Sequence, residues 1–268
     1  MAQPIIRVEH LVKRYGELAA VDDISFSVNA GEIFAFLGPN GAGKTTTIKI
    51  LTTLLKPTSG SVEVDGLDPV RHAVDVRRRF GIVFQDPSLD QELTAAENLR
   101  LHASLYAVPR TVRDRRIEDL LKLFELWDRR DSLVKTFSGG MRRRLEIARG
   151  LLHTPKILFL DEPTLGLDPQ TRKQLWTLVQ QLNDEEHLTI FLTTHYMDEA
   201  DRVAQRIAII DHGRIVAIDS AAALKQQTST QTLEDAFLAL TGSTIRDEAA
   251  TSVDQMRNMA RMWRGGRR

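Results

Sequence analysis

The sequence of 268 residues contains no cysteine, no excess of charge of either sign and no long hydrophobic run. Without cysteine, disulfide bonds, thiolate metal ligands and a cysteine nucleophile are all excluded. The 36 basic residues balance the 36 acidic residues, so bulk attraction to nucleic acid or to a membrane surface is not expected to be the main function. The longest apolar runs, such as residues 157–160 and 207–210, have the length of buried strands and are shorter than the ~18 to 20 residues that span a bilayer.

Residues 1–10 also lack the apolar core of a signal peptide, and the absence of cysteine is typical of a reducing compartment. We therefore expect a cytoplasmic protein. The composition is that of an ordinary globular protein, with 42% hydrophobic and 27% charged residues. At ~150 residues per domain, the length corresponds to one large domain or two small ones.

Short apolar, β-branched segments alternate with longer segments of helical periodicity along most of the chain. Because the strand-like segments are apolar throughout, this pattern predicts an α/β fold whose parallel sheet is covered on both faces. Two regions break the alternation. The first ~65 residues are rich in strands around one helix, and residues 86 to about 150 are helical only. We interpret the second region as an insert between two core strands.

The helical insert is locally basic. From Arg110 to Arg149 there are ten arginines and two lysines against seven acidic residues, a net charge of +5. Helices commonly place such side chains in solvent, so we interpret these arginines as a solvated helix surface. A contact with nucleic acid is the alternative that this local charge leaves open.

A glycine-rich segment at residues 38–45 fits the pattern G-x-x-x-x-G-K-[ST] and lies between an apolar strand and a helical segment. Glycines let the backbone N–H groups of such a loop surround an anion, and the helix N-terminus adds positive potential. Lys44 supplies an ammonium group for the β- and γ-phosphates, the Thr45 hydroxyl is a Mg²⁺ ligand, and Thr46 can donate to the α-phosphate. The predicted phosphate-binding residues are Gly38, Pro39, Asn40, Gly41, Ala42, Gly43, Lys44, Thr45 and Thr46.

Two adjacent carboxylates, Asp161 and Glu162, follow another apolar segment. At the end of a buried strand, Asp161 can reach the Mg²⁺ shell through water, and Glu162 can orient and activate an attacking water. Adjacent acidic residues after a strand are also common as loop or N-cap residues. The phosphate loop upstream favours the catalytic interpretation, because phosphoryl transfer to water needs both charge neutralisation and an oriented nucleophile.

The phosphate loop alone leaves several classes of enzyme open. A GTPase would carry the guanine-reading tetrapeptide N-K-x-D, which the sequence lacks. Small-molecule kinases usually lack an adjacent Asp-Glu pair of this kind.

A serine–glycine loop lies just before the strand that carries the two carboxylates. Its residues, Phe137-Ser138-Gly139-Gly140-Met141, resemble the signature loop of the ATP-binding cassette (ABC) ATPases, with Met141 where that family often has glutamine. Other segments are similar to the remaining motifs of the family, in the same order along the chain. They are Tyr15 at the adenine-stacking position, Gln85 after a core strand, Asp168 in the loop Leu-Gly-Leu-Asp, and His195 at a strand end.

Each of these residues also has a chemical and a structural interpretation of its own. Tyr15 offers a π-face for a base, or packs at a strand end. Gln85 offers an oxygen to Mg²⁺ or to the lytic water, or caps a strand end. His195 can donate from a ring nitrogen to a γ-phosphate, or is a structural histidine. Asp168 can cross a dimer interface and, before Pro169, can also cap a helix.

The resemblance implies an α/β fold with a P-loop NTPase (RecA-like) core, an N-terminal antiparallel β subdomain and an inserted helical subdomain. It implies an ATP-binding domain over residues 1–240, with the helical subdomain at about 86–150, and a C-terminal tail over residues 241–268. The residues that it assigns to catalysis are Lys44, Gln85, Glu162 and His195, and those that it assigns to the metal are Thr45, Gln85 and Asp161.

In the family, ATP and Mg²⁺ are the ligands, and each ATP lies between the phosphate loop of one chain and the serine–glycine loop of another. The resemblance therefore implies that Ser138, Gly139, Gly140 and Asp168 contribute to nucleotide binding in a dimer. That dimer is either a homodimer or a heterodimer with a paralogue.

Two further segments, residues 193–201 and 233–237, resemble the daunorubicin/doxorubicin-resistance type of exporter ATPase. This implies a separate membrane permease, docked near the helical subdomain, and a location on the inner face of the cell membrane. It also implies a drug-like or lipid-like cargo. The alternatives are an importer ATPase and a soluble ABC-type ATPase that acts on nucleic acid or ribosomes, which usually has two cassettes or a long coiled coil.

The last residues, 251–268, contain five arginines and one aspartate, a net charge of +4. Met256, Met259, Met262 and Trp263 recur there at helical spacing. This pattern predicts either a basic amphipathic helix that touches lipid headgroups or the permease, or a frayed tail.

Overall fold

The computed structural model describes residues 4–242, which contain nine β-strands and nine α-helices. The strands are β1 (Pro4–Tyr15), β2 (Leu18–Asn29), β3 (Ile33–Leu37), β4 (Ser59–Val64), β5 (Phe80–Val83), β6 (Ile157–Asp161), β7 (Thr189–Thr194), β8 (Arg206–Asp211) and β9 (Arg214–Asp219). The helices are α1 (Lys44–Leu51), α2 (Ala73–Arg77), α3 (Ala95–Leu105), α4 (Arg110–Leu123), α5 (Gly139–Leu151), α6 (Pro169–Glu186), α7 (Met197–Val203), α8 (Ala221–Gln227) and α9 (Leu233–Thr241). The basic segment 251–268 lies outside the described residues.

The strands form two sheets. A small antiparallel sheet has the order β2-β1-β4, and a six-stranded sheet has the order β5-β6-β7-β3-β8-β9. The first five strands of the larger sheet are parallel, as the sequence pattern predicts, but β9 is antiparallel to β8. The connection between β8 and β9 is only His212 and Gly213, both with positive φ, and two residues can join only antiparallel neighbours.

The central strands are apolar because both faces of the large sheet are covered. All five residues of β3 and all five of β6 are buried. On β3, Phe34 and Phe36 pack toward α1 and the small sheet, whereas Ile33, Ala35 and Leu37 pack toward the other helices. Each face therefore has its own hydrophobic core, and the strands between the cores are held rigidly.

The carboxyl ends of three neighbouring strands lie side by side at one edge of this sheet. Leu37 at the end of β3 pairs with Thr194 on β7, and Asp161 at the end of β6 pairs with Thr193. Because parallel strands end at the same edge, the loops that follow β3, β6 and β7 converge there. This convergence positions the candidate functional site.

The segment between β5 and β6 contains α3, α4, α5 and two short 3₁₀ turns. Helix α5 approaches β5 closely at two glycines: a Cβ at Gly81 would lie 2.3 Å from the backbone oxygen of Gly150. Here the interpretation of the arginines as a solvated surface is wrong for Arg143, which is 7% exposed and pairs with the buried Glu146. Its charge is matched inside the protein rather than by water.

Two local features add to what the sequence pattern predicts. Helix α2 is a single short helix that hydrophobic periodicity did not predict. Strand β5 ends at Val83, the last residue that pairs with β6, so Gln85 lies in the following loop.

Among residues 4–242, none of the helices is both long enough and apolar enough to cross a membrane.

The close approach of α5 and β5 predicts unequal effects of two matched substitutions. Gly81→Ala places a methyl group against backbone and is expected to cost about 1–3 kcal/mol of unfolding free energy. Gly150→Ala meets the Leu158 side chain at 3.5 Å, an ordinary contact, and gains helix propensity, so its stability is expected to stay within about 1 kcal/mol of wild type. Urea denaturation measures both, and equal stability of the two variants would contradict this packing.

Candidate functional site

The loop from residue 38 to residue 43 connects β3 to α1 and turns sharply at Gly43. Gly43 has φ of 105°, and a Cβ there would lie 2.5 Å from the backbone oxygen of Ala20, so only glycine fits. In the described structure, the N-terminus of α1 carries no side-chain cap. Backbone N–H groups at such a helix start are donors for an anion, and the helix dipole adds positive potential.

Lys44, the first residue of α1, is 4% exposed and directs its ammonium group into this loop. Its Nζ donates to the backbone oxygens of Gly38 at 2.7 Å and Pro39 at 3.2 Å. The same Nζ lies 3.1 Å from Oε1 of Glu162, which follows β6. A buried ammonium and carboxylate therefore face each other across the space between the two loops.

Glu162 is the centre of this cluster. It is 7% exposed, has φ of 48°, and its Oε2 lies 2.9 Å from Nδ1 of His195, which follows β7. A positive φ in a non-glycine residue is strained and marks positions that the surrounding structure holds in place. Burial alone would raise the pKa of Glu162, but the hydrogen bond with His195 and the charge of Lys44 outweigh it, so the pKa is lowered. The carboxylate is ionised at neutral pH.

Asp161 lies beside Glu162 and turns toward α1. Its Oδ1 accepts hydrogen bonds from Thr193 Oγ1 at 2.6 Å and from Thr45 Oγ1 at 3.3 Å. Burial raises the pKa of Asp161, against these hydrogen bonds. A carboxylate oxygen and a threonine hydroxyl at this separation are hard oxygen donors of the kind that Mg²⁺ takes, together with phosphate oxygens. The donor set fits that ion.

The phosphate loop borders an open cleft of about 440 Å³. Tyr15 is 48% exposed at its rim, and Lys13 Nζ lies 5.2 Å from the centre of its ring. Gln85, in the loop after β5, reaches the same cleft. The lining consists of Tyr15, Leu18, Ala20, Pro39, Asn40, Gly41, Ala42, Gly43, Lys44, Thr45, Thr46, Gln85 and Glu162. The structure thus brings together most residues that the sequence assigns to the phosphate loop and to catalysis.

The serine–glycine loop lies elsewhere, against the start of α6. A Cβ at Gly140 would lie 2.5 Å from the Thr171 side chain, and one at Gly139 would lie 3.7 Å from Leu167. Ser138 caps α5 by accepting from the Met141 N–H at 3.2 Å. This cluster does not contribute to the lining of the cleft.

Asp168 belongs to this second cluster and caps α6. Its carboxylate accepts from the N–H of Thr171 at 2.9 Å and from the Thr171 hydroxyl at 2.6 Å. The capping role that the sequence suggested for Asp168 is therefore confirmed, and these hydrogen bonds lower its pKa. The interface role of Asp168 stays a prediction.

Several residues that support the site have no role assigned to them from the sequence. The buried Glu199 accepts from Thr164 Oγ1 at 2.7 Å, which ties the loop after Glu162 to α7. Arg172 donates to the backbone oxygen of Leu167 and stacks 4.5 Å over the ring of Tyr196. The Tyr196 ring in turn lies 4.1 Å from that of His195. Tyr196 and Glu199 lie in the segment 193–201 that resembles the exporter ATPases, whereas Arg172 lies outside the motifs.

The lowered pKa of Glu162 predicts a pH-dependent contribution to stability. At pH 7, Glu162→Gln is expected to lower the unfolding free energy by about 1–3 kcal/mol, because Lys44 and His195 lose a charged partner. When folding lowers the pKa of a carboxylate, the ionised group stabilises the fold at pH values above its pKa in the unfolded chain. This stabilisation is lost as the pH falls through the pKa of the folded protein, which lies below 4.5. Denaturation with urea at pH 7 and at about pH 3.5 should therefore show the difference shrinking.

The exposed Glu186 at the end of α6 provides a control for this measurement. Glu186→Gln removes one carboxylate without touching the cluster and should match wild type at both pH values. A stability loss in Glu162→Gln that is equally large at both pH values would contradict the assigned ionisation.

Comparison with known proteins identifies the family of the chain. Residues 21–165 match the family model described as ABC transporter. The daunorubicin/doxorubicin resistance ATP-binding protein DrrA of Streptomyces peucetius is 46% identical over 228 residues, which cover 85% of this chain and 69% of that protein. The solved structure of an ATP-binding subunit of an ABC transporter is 31% identical, with a TM-score of 0.80 over 88% of this chain and 99% of that one.

A further solved structure is the dimeric ATP-binding cassette MJ0796, in a post-hydrolysis state with ADP and Pi. It is 29% identical, with a TM-score of 0.72 over 80% of this chain and 98% of that one. These matches confirm the P-loop NTPase fold and the resemblance drawn from the motifs. The chain therefore belongs to the ABC transporter family, as an ATP-binding subunit whose ATPase activity is coupled to transport.

Proposed function

We propose that this chain is the ATP-hydrolysing subunit of an exporter, which closes as a dimer around two ATP and drives a separate membrane permease. The observation that carries the proposal is the separation of the two half-sites within one chain. The cleft holds the phosphate loop, Gln85 and Glu162, whereas the serine–glycine loop packs against α6. A second copy is the simplest source of the missing half, because an isologous interface supplies the same two half-sites twice.

Within one cleft, the chain's own groups bind the nucleotide and prepare water for attack. Tyr15 offers its ring face to the adenine, and the N–H groups of residues 40–46 surround the phosphates. Lys44, which bonds to loop carbonyls and to Glu162, shifts its hydrogen bonds to phosphate oxygens when they arrive. Glu162, ionised and held by His195, accepts the proton of the attacking water.

Mg²⁺ would be held by Thr45, with Asp161 and Gln85 reaching it directly or through water. The ion supplies charge neutralisation for the phosphate oxygens. Thr193 donates to the Asp161 carboxylate and would hold it in place as a ligand or as an acceptor for a metal-bound water. In the dimer, Ser138 can donate its hydroxyl hydrogen to a phosphate while its oxygen still accepts from Met141.

The helical segment offers a surface for the permease. On α3, Leu101 and Leu105 are 51% and 75% exposed. Beside them, the ring of Tyr106 stacks on His153 at 4.0 Å. Exposed aliphatic residues next to a stacked aromatic platform are typical of a protein-docking site. An amphipathic cytoplasmic helix of the permease fits this chemistry and would place the chain on the inner face of the membrane.

The cargo that we propose is a drug-like or lipid-like molecule. This rests on the similarity to a protein named for resistance to daunorubicin and doxorubicin. The cargo would be bound by the permease, so the residues of this chain do not select it.

The cleft predicts distinct failures for two substitutions. Glu162→Gln removes the water-activating carboxylate and should lower ATP turnover by roughly 10²- to 10⁴-fold while MgATP still binds and holds the dimer closed. Lys44→Ala should lose both turnover and tight MgATP binding, because the substitution removes the ammonium group that would pair with the phosphates. Steady-state hydrolysis, calorimetric titration and size-exclusion chromatography separate the two. Normal turnover in Glu162→Gln, or wild-type affinity in Lys44→Ala, would contradict these roles.

The proposed docking surface predicts that a substitution there, but not one elsewhere, lowers the amount of membrane protein that co-purifies with the chain. Glu162→Gln, purified from membranes with MgATP, should carry an integral membrane protein with it. Adding Leu105→Glu should lower that recovery at least roughly tenfold, since a charge in a buried contact costs binding free energy. Adding Val216→Glu on β9, at the opposite edge of the large sheet, should leave it unchanged. Undiminished recovery with Leu105→Glu would refute this surface.

A further inference from the structure

A buried cluster of charges on α5 holds the loop that carries Gln85. Arg143 donates from Nη1 to the backbone oxygen of Phe84 at 2.6 Å and from Nη2 to that of Gln85 at 3.4 Å. Glu146, one turn along the helix, bonds to Arg143 at 3.1 Å and accepts from the N–H of Ser88 at 2.9 Å. We call the Arg143–Glu146 pair, with its four bonds to itself and this loop, the α5 clamp.

Arg149, on the next turn, adds a second attachment to the same loop. Its Nη1 donates to the backbone oxygen of Ser88 at 2.7 Å and its Nη2 to the Ser88 hydroxyl at 2.5 Å. The loop from residue 84 to residue 88 is therefore held by three side chains that are spaced three residues apart on α5, Arg143, Glu146 and Arg149.

The charges of the α5 clamp are costly to bury, so their presence there calls for a role other than stabilising the fold. Arg143 is 7% and Glu146 2% exposed, and burial lowers the pKa of the former and raises that of the latter. A buried ion pair is weak evidence for stability, because apolar side chains of similar volume often serve as well. Apolar side chains could not hold the backbone carbonyls of Phe84 and Gln85, however, and this is what the pair does.

The loop that is held has a direct place in the cleft. Gln85 lines it opposite the phosphate loop, and its backbone oxygen is one of the atoms that Arg143 holds. The other end of α5 is the serine–glycine loop, since Ser138 caps the helix. Arg143 lies five positions after Ser138, about 7.5 Å along a helix. The first turn and a half of α5 therefore connects the serine–glycine loop to the residue that holds the Gln85 loop.

We propose that Arg143 and Glu146 are positioning residues that hold Gln85 in the cleft and couple it to the serine–glycine loop at the start of α5. The inference rests on the proposed function, in which Gln85 approaches the metal and Ser138 touches ATP on a second chain. When the partner's nucleotide moves Ser138, α5 moves as a rigid element and takes the Gln85 loop with it. Binding at one site is thereby transmitted to the metal position of the other.

The test uses the full-length chain and three arginine or glutamate variants. Arg143→Gln shortens the side chain and removes its charge, and Glu146→Gln removes the charge while keeping the side-chain length, so each weakens the α5 clamp. Arg144→Gln is the matched control, because Arg144 is the neighbouring residue on α5 but pairs with the exposed Glu125. The double variant Arg143→Gln/Glu146→Gln completes a double-mutant cycle, which measures whether the two residues act together.

The first readout is amide hydrogen exchange of a peptide that spans residues 84–90, measured without nucleotide. Both single variants should raise its exchange rate at least roughly threefold, because Arg143→Gln releases the carbonyls of Phe84 and Gln85 and Glu146→Gln weakens the bond to the Ser88 N–H. Arg144→Gln should leave it at the wild-type rate. Unchanged exchange in both clamp variants would show that α5 does not hold this loop.

The second readout is the Mg²⁺ concentration that gives half-maximal ATP hydrolysis, a quantity that a purely structural role would not change. The clamp variants should raise it roughly threefold to thirtyfold and lower kcat, with KM for ATP within about twofold of wild type. The double variant should lose no more than the single ones, because both residues act through one loop. Faster exchange with unchanged Mg²⁺ dependence and kcat would overturn the positioning role.

The two readouts also separate this inference from the proposed function. If the wild-type chain hydrolyses no ATP, the proposed function fails, and the exchange measurement still decides whether the α5 clamp exists. If Arg143→Gln does not fold, Glu146→Gln decides the outcome alone, since its amide oxygen still fits the space and its lost charge still weakens the clamp.

Discussion

Three charged or ionisable groups from the segments that follow three neighbouring strands meet in one largely buried cluster: the Lys44 ammonium, the Glu162 carboxylate and the His195 imidazole. Each would be costly to bury alone, and together they are held only because β3, β6 and β7 are neighbours whose carboxyl ends share one edge. The two apolar cores on either side of the sheet keep those ends in register. The strain at Glu162 and the three-way pairing thus depend on the rigidity of the sheet.

The rest of the molecule is arranged around this cluster. The small antiparallel sheet brings Tyr15 to the rim of the cleft, and the segment between β5 and β6 supplies both Gln85 and the serine–glycine loop. Helix α5 links these last two through buried charges, while Arg172 and Tyr196 link the loop after Glu162 to His195. In the dimer that we propose, both links would run from the half-site that faces a second chain to a group that lines or supports the chain's own cleft. We regard this as the physical basis for cooperation between two copies.

The sequence predicts the parts of this arrangement that follow from short-range chemistry. The phosphate loop, the Asp161–Glu162 pair and the strands that carry them have patterns that only a few structures satisfy, because glycines and buried apolar runs are demanding locally. It could not predict the α5 clamp, since ten arginines in one region look alike until packing buries Arg143. The antiparallel β9 depends on a two-residue connection, and the Thr193 bond to Asp161 depends on strand order; neither is visible in composition or periodicity.

The central claim, that one chain carries two halves of two different sites, is tested most directly by mixing two inactive variants. Lys44→Ala damages only the phosphate loop and Ser138→Arg only the serine–glycine loop, so each homodimer has two damaged sites. A mixed dimer has one site with both defects and one intact site. Equal amounts should recover about a quarter of the wild-type ATPase rate by random pairing, whereas each variant alone stays inactive. Mixtures that remain as inactive as the separate variants would contradict the account.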